Sequence, residues 1–376
     1  MDNHIAFISE TDPFSDKVAW SGTVYKLREA IEGADCTVEW IPCHVNSYAQ
    51  RWMSKIFRRM YRGCGLWDKN ALYFKLLAHS IDSKRLNEGG VDYIFFPAYY
   101  QAAVFLKTDV PVIGHGDATF RGMEGYYWKD LPVAVSRMGN CIEKRGLQAC
   151  DLVIRASDWA ANSAKEDYGI DPSKVKMLQL GANFDMPRDI VWTPYEKGGR
   201  LNVIFSGVDW ERKGGDIAVQ AVRLLRDRGI DARLRIMGIR NLPESAGICD
   251  FVENVGFLNK NVPEQYSKYV ECYGSGHIFL LPTKAECAGV VFCEASGFGI
   301  PSFTYDTGGT GSYVENGVNG YRLELGAPAE AFAYRICSVL ESGELEALHK
   351  GALKKYEDSL SWEAWSRRFK QIINNG

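Results

Sequence analysis

The chain has 376 residues, 46% hydrophobic and 24% charged, with 44 Lys and Arg against 47 Asp and Glu. At roughly 150 residues per domain the length makes two domains, or three small ones. This composition excludes a disordered or fibrous chain, and the near-balanced charge argues against a general nucleic-acid binder, which needs surplus cations to neutralise phosphates.

In chain order, the apolar run His4 to Ser9 predicts a strand, followed by a loop and a helix from Thr23 to Ile31. Further strands are expected at Thr37 to Ile41, Tyr93 to Phe96, Pro111 to Gly114 and Leu152 to Ile154, separated by amphipathic stretches long enough to be crossover helices. Such alternation implies a parallel sheet with helices on both faces. Within it, Arg51 to Leu77 holds seven cations against the single acid Asp68, and Trp52, Met53, Ile56, Phe57 and Met60 recur at helical spacing beside Arg51, Lys55, Arg58 and Arg62. A basic amphipathic helix of this kind suits an anionic membrane surface; the alternative is that its apolar side packs on the first domain.

The Pro- and Gly-bearing stretch Met186 to Arg200 reads as a linker, after which the pattern restarts. Strands are expected at Leu201 to Ser206, Leu234 to Met237, Ile278 to Leu281 and Ser302 to Tyr305, and helices at Asp216 to Arg228, Pro263 to Tyr273 and Val290 to Gly297. Helical sequence then runs from Ala329 to Asp358 and from Trp362 to Asn374. Two doubly wound units place ligands at the carboxyl ends of their sheets, in a cleft between them. The ten cysteines show no CxxC pair, so reduced thiols are expected, with Cys287 and Cys293 structural. The first residues lack a signal-peptide pattern, and the most apolar window, Ile94 to Leu106, is too short to span a bilayer, which points to the cytoplasm.

Two loops carry chemistry. After the strand ending at Leu281, Glu286 and Glu294 stand eight residues apart. With a helix starting near Gly289 and Val290, both could face one ligand from different depths, and the N–H groups of the helix start suit a phosphate. After the strand ending at Ser206, Arg212 and Lys213 precede Gly214-Gly215, an arrangement that can stabilise a departing diphosphate.

These motifs, together with Gly299-Ile300-Pro301, Gly308-Gly309 and Asn316-Gly317-Val318-Asn319-Gly320, resemble the retaining glycosyltransferases of family 4. Upstream, Asp151 to Ser157, Tyr168-Gly169 and Gly181-Ala182-Asn183 look like the end of that family's first domain. The resemblance implies an α/β, GT-B fold of two Rossmann-like domains facing a cleft. Residues 1–185 would bind the acceptor and 186–361 the nucleotide sugar, with the helix 362–376 packing back on the first domain. It implies sugar transfer with retention from a nucleotide-diphosphate sugar to an acceptor hydroxyl, on a glycan or lipid-linked acceptor, as in polysaccharide biosynthesis. Glu294 would accept hydrogen bonds from the ribose, Glu286 would contact the donor sugar, and Arg212 and Lys213 would hold the diphosphate with backbone N–H groups near Gly289 and Val290. Ser21-Gly22 would let the backbone approach the phosphates. No metal and no cofactor beyond the donor are implied, in keeping with the lack of a suitable Asp-x-Asp motif.

Two positions depart from the family pattern: Val208 follows Gly207 where an Arg is usual, and Ala288 replaces an aromatic residue. In His115-Gly116-Asp117, Asp117 falls where many relatives have a histidine near the reacting carbon. We take Asp117 as the acceptor-side polar group, with His115 in that role, or Asp117 as a helix N-cap, as the alternatives. Other readings of the chain are a non-catalytic nucleotide-sugar-binding subunit and an epimerase or phosphorylase on the same fold. A dinucleotide oxidoreductase is disfavoured because no GxGxxG follows the first strand.

Overall fold

The computed structural model describes residues 3–187, 192–247 and 249–374. Its first unit comprises Met1–Leu178 with Trp365–Gly376, and its second Gln179–Ala364. In the first, β1 (Asn3–Ser9), β2 (Cys36–Pro42), β3 (Tyr93–Phe96), β4 (Val112–Gly116), β5 (Leu152–Arg155) and β6 (Val175–Met177) form one parallel sheet in the order β2-β1-β3-β4-β5-β6. Around it lie α1 (Thr23–Glu32), α2 (Ser47–Met60), α3 (Ala71–His79), α4 (Ser83–Glu88), α5 (Phe120–Met123), α6 (Val133–Ala149) and α7 (Asp158–Glu166).

The second unit repeats the plan with β7 (Leu201–Ser206), β8 (Ala232–Met237), β9 (Val252–Gly256), β10 (Ile278–Leu281), β11 (Ser302–Asp306) and β12 (Gly320–Glu324), in the order β12-β11-β10-β7-β8-β9. Its helices are α8 (Trp210–Lys213), α9 (Gly215–Asp227), α10 (Glu244–Gly247), α11 (Pro263–Gly274), α12 (Val290–Gly297), α13 (Ala329–Ser342) and α14 (Leu345–Lys355). A last helix, α15 (Trp362–Asn374), ends the described chain. Central strands are continuous apolar runs because helices cover both faces: Ile5 to Ile8, Val203 to Phe205 and Ile278 to Leu281 are fully buried. Strand order reverses between β1 and β3 in one sheet and between β7 and β10 in the other. At such switch points adjacent loops diverge and leave a crevice at the carboxyl ends of the strands.

Several details differ from the sequence reading. The edge strands β6, β9 and β12 were not expected; they are short and only partly buried, so their apolar pattern is weak. The helical run from Ala329 breaks at Gly343, whose φ of 73° ends α13. The basic stretch is not one helix: α2 stops at Met60, where Arg62 and Gly63 take positive φ and the Gly63 N–H donates to the Arg58 carbonyl at 2.8 Å.

The division between units falls seven residues before the expected 185/186 boundary, at Leu178/Gln179. Gln179 donates to the Ser312 carbonyl at 3.2 Å, the Leu180 N–H donates to the Tyr313 hydroxyl at 3.1 Å, and Ala182 and Phe184 join the second core. Of the linker read at 186–200, residues 188–191 lie outside the described residues. Trp362 donates to the Ala182 carbonyl at 2.9 Å, whereas further along α15 Trp365 packs on Phe95 and Ser366 donates to the Ala30 carbonyl at 2.7 Å. Among the described residues no helix is long and apolar enough to cross a membrane.

Candidate active site

At the second switch point the loops after β7 and β10 are pressed together. Asp209 caps α8 by accepting from the Arg212 N–H at 3.1 Å. Gly214 closes α8 in a left-handed conformation, φ 73°, where an added Cβ would lie 2.1 Å from the Pro282 carbonyl oxygen, so only glycine fits. The loops are then stitched by Lys284 N–H to the Arg212 carbonyl at 2.8 Å and by the Arg212 guanidinium to the Ala285 carbonyl at 3.0 Å.

This register brings Lys213 and Glu286, both less than a tenth exposed, into a direct ion pair. Two buried opposite charges satisfy one another where neither could be buried alone. Next to them α12 opens at Gly289 without any side-chain cap, leaving the helix start to a ligand or solvent. Arg212, Lys213, Glu286 and the Gly289-Val290 helix start thus belong to the loops of one switch point.

Glu294 lies a turn into α12, and its surroundings were not foreseen. It is 1% exposed and accepts from Lys260 at 2.7 Å through Oε1 and from the Tyr269 hydroxyl at 2.6 Å through Oε2. Burial and the Glu294 charge raise the Tyr269 hydroxyl well above its usual range, keeping it a donor. Lys260, which sequence reasoning missed, also lies over the rings of Tyr269 and Phe184 at 5.4 and 5.6 Å. The two glutamates therefore serve separate ion pairs. Cys287 and Cys293 are buried, and burial raises the Cys293 thiol well above its usual value, which leaves it un-ionised and poorly nucleophilic.

In the first unit His115 and Asp117 line one cavity of about 480 Å³ at the carboxyl ends of β1, β3 and β4, together with Trp20; Ser21 and Gly22 follow Trp20 in the chain and are not among its lining residues. Gly22, with φ 91°, ends a turn in which Trp20 and Ser21 also take positive φ, 49° and 56°. Such a run costs conformational energy that the surrounding structure must supply. His115 is fully buried; burial and the nearby Arg155 charge hold its imidazole down to about 4, against the Pro97 carbonyl that faces Nδ1 at 3.1 Å. Asp117 is half-buried in the loop after β4. It does not cap the following helix: Thr119 does, accepting from the Gly122 N–H at 3.1 Å.

Two parallel α/β sheets of this order, each with its crevice at a switch point, define the GT-B fold of glycosyltransferases. The likeness to solved structures agrees: a lipopolysaccharide outer core galactosyltransferase, WaaB, superposes with a TM-score of 0.69 at 17% identity, covering 99% of each chain. Residues 192–355 match the family described as glycosyl transferases group 1, so the second unit is a group 1 glycosyl transferase domain. WcaL of Salmonella typhimurium, assigned as a colanic acid biosynthesis glycosyltransferase, is 28% identical over 238 residues, 59% of this chain and 56% of its own. The D-inositol 3-phosphate glycosyltransferase of Streptomyces scabiei is 25% identical over 240 residues, 56% of this chain and 52% of its own. The chain spans about half the length of these curated relatives.

Proposed function

We propose that the protein transfers a glycosyl group, with retention at the anomeric carbon, from a nucleotide-diphosphate sugar to an acceptor hydroxyl. The observation that carries this reading is the buried pairing of Lys213 with Glu286, residues 73 positions apart, at the switch point where α12 begins. In this reading Lys213 and Arg212, with the helix start near Gly289 and Val290, stabilise the charge that grows on the diphosphate as the glycosidic bond breaks. In this reading these groups meet that charge without a divalent metal. Glu286, fixed through Lys213, takes hydrogen bonds from the donor sugar, and Glu294, oriented by Lys260 and Tyr269, receives the ribose hydroxyls. The transition state is oxocarbenium-like, and the departing diphosphate accepts the acceptor's proton.

Ser21-Gly22 lets the backbone approach the phosphates, and Asp117 stands on the acceptor side. UDP sugars are the first donors to test, since a solved relative of the same fold, Anabaena HepE (TM-score 0.58, 15% identity, 99% of each chain), is described in complex with UDP and glucose. The experiment is nucleotide release and transfer across UDP, GDP and ADP sugars, with the product's anomeric configuration read by NMR. An inverted product would refute retention.

A cytoplasmic membrane surface is part of the proposal. Tyr48, Trp52, Ile56 and Met60 form an i, i+4 stripe along α2 that is 71, 63, 51 and 64% exposed, while Phe57 beside it is buried. Exposed Arg51, Lys55, Arg58 and Arg59 flank the stripe. Apolar side chains in water beside a row of cations complement an anionic lipid surface.

A further inference from the structure

We infer that the cavity of the first unit takes the ring of an uncharged sugar, laid against Trp20 with its hydroxyls donating to His115, Glu10 and Asp117, and that it rejects phosphate-bearing acceptors. The inference rests on the glycosyl-transfer reading and names its acceptor class.

Hydrogen-bond polarity favours a hydroxylated, uncharged ring. A carbonyl oxygen only accepts, so the Pro97 carbonyl 3.1 Å from His115 Nδ1 assigns the proton to Nδ1. Nε2 then presents a lone pair, and it is buried with no partner among the described residues. A buried acceptor without a donor costs free energy that a ligand hydroxyl would recover. The carboxylates of Glu10 and Asp117 line the same cavity. Such a wall calls for donors, which sugar hydroxyls supply and an ionised phosphate does not.

Charge gives the second argument. Lys69 is the only cationic side chain among the described lining residues, and it is already paired with Asp68 at 2.7 Å and placed over the Tyr99 ring at 5.1 Å. A phosphate entering here would face three lining carboxylates, Glu10, Asp117 and Glu143, at low effective dielectric, against Lys69 already held by Asp68 and Arg155, which is fully buried over the Tyr100 ring at 4.6 Å and does not itself line the cavity.

Shape gives the third. Trp20 is held in left-handed backbone between Ala19 and Ser21, its ring 5.8 Å from that of His115. With Trp128 it gives the cavity aromatic faces, whose negative π-surface suits the weakly positive C–H face of a sugar ring. The volume of about 480 Å³ falls within the roughly 300–1,000 Å³ of small-molecule sites.

The test is equilibrium binding to the full chain by calorimetry, with no donor present. Methyl α-glucopyranoside, methyl α-galactopyranoside and N-acetylglucosamine are each compared with the corresponding 6-phosphate. At least one neutral ring should bind tenfold or more tightly than its phosphate. Trp20→Ala should weaken that binding at least tenfold, Trp20→Phe should restore it to within threefold, and Glu10→Gln should narrow the discrimination against phosphate. A phosphate that binds as well as its neutral partner, failure of every neutral ring, or unchanged binding in both Trp20→Ala and Glu10→Gln overturns the inference. Donor hydrolysis without acceptor is measured separately. Nucleotide release alongside a preference for phosphates defeats this inference alone, whereas binding of neutral rings without turnover of any donor defeats the glycosyl-transfer reading alone.

Discussion

Lys213 and Glu286 depend on one another for more than chemistry. Both are under a tenth exposed, so removing one leaves the other as an uncompensated buried charge, a change that costs about 3–5 kcal/mol. Lys213→Ala should therefore lower urea-denaturation stability by roughly 3 kcal/mol and slow donor turnover about 10²-fold. Lys213→Met combined with Glu286→Gln should regain most of the stability and none of the turnover, which separates the two roles. Gly214→Ala should cost about 2–4 kcal/mol in the same measurement, since its Cβ would strike backbone 2.1 Å away in a left-handed turn. His115 sets a pH dependence. Its folded value near 4 lies below the usual 6.5, so between those limits the unfolded chain binds a proton that the folded chain does not. Stability should fall as pH drops from 6.5 towards 4, by at most about 3 kcal/mol at this position, and show no slope from it above 6.5. His115→Asn should flatten that part of the profile and leave the smaller slopes of His277 and His349, which burial also holds below their usual value. At this scale the loop positions of Arg212, Lys213 and Glu286 were legible because each loop follows an unbroken apolar strand, and that of Glu294 because it falls inside the helix expected next. Lys260 was not, because its partner Glu294 lies 34 residues away, and Trp20 was not, because nothing in its residue type announces positive φ.

Among the elements, α2 carries the clearest testable property. Binding of the full chain to vesicles of phosphatidylcholine with phosphatidylglycerol should exceed binding to phosphatidylcholine alone, and should weaken as salt rises. Replacing Arg51, Lys55 and Arg59 by Glu should cut the anionic-vesicle affinity at least tenfold, at about 1 kcal/mol per charge near the surface, without changing thermal stability. Equal flotation on both vesicle types would refute the electrostatic part. The exposed stripe explains why the sequence was ambiguous here: of the apolar residues at helical spacing Phe57 is buried whereas Trp52, Ile56 and Met60 are exposed, so the pattern marks more apolar surface than the fold covers. The central strands were legible for the opposite reason, since burial on both faces leaves unbroken apolar runs. Short edge strands such as β6 and β9 bury too little to leave that mark.

For the whole molecule, alternating strands and helices with a restart near residue 200 made the two-unit plan readable, and the order of glycine and acidic motifs made the second unit's class readable. The exact division was not, because residues 179–185, read as the end of the first domain, place Ala182 and Phe184 in the second core, and because α15 meets Ala182 at Trp362 and Phe95 at Trp365. The family match falls within the second unit, so acceptor chemistry is argued from the cavity of the first. The most direct measurement of the central claim is nucleotide release from UDP, GDP and ADP sugars by the full chain, compared with its Lys213→Ala variant. The account predicts turnover of at least one donor by the native protein and about a 10²-fold loss in the variant; equal turnover by both, or none of any donor by the native protein with neutral sugar acceptors present, would contradict it.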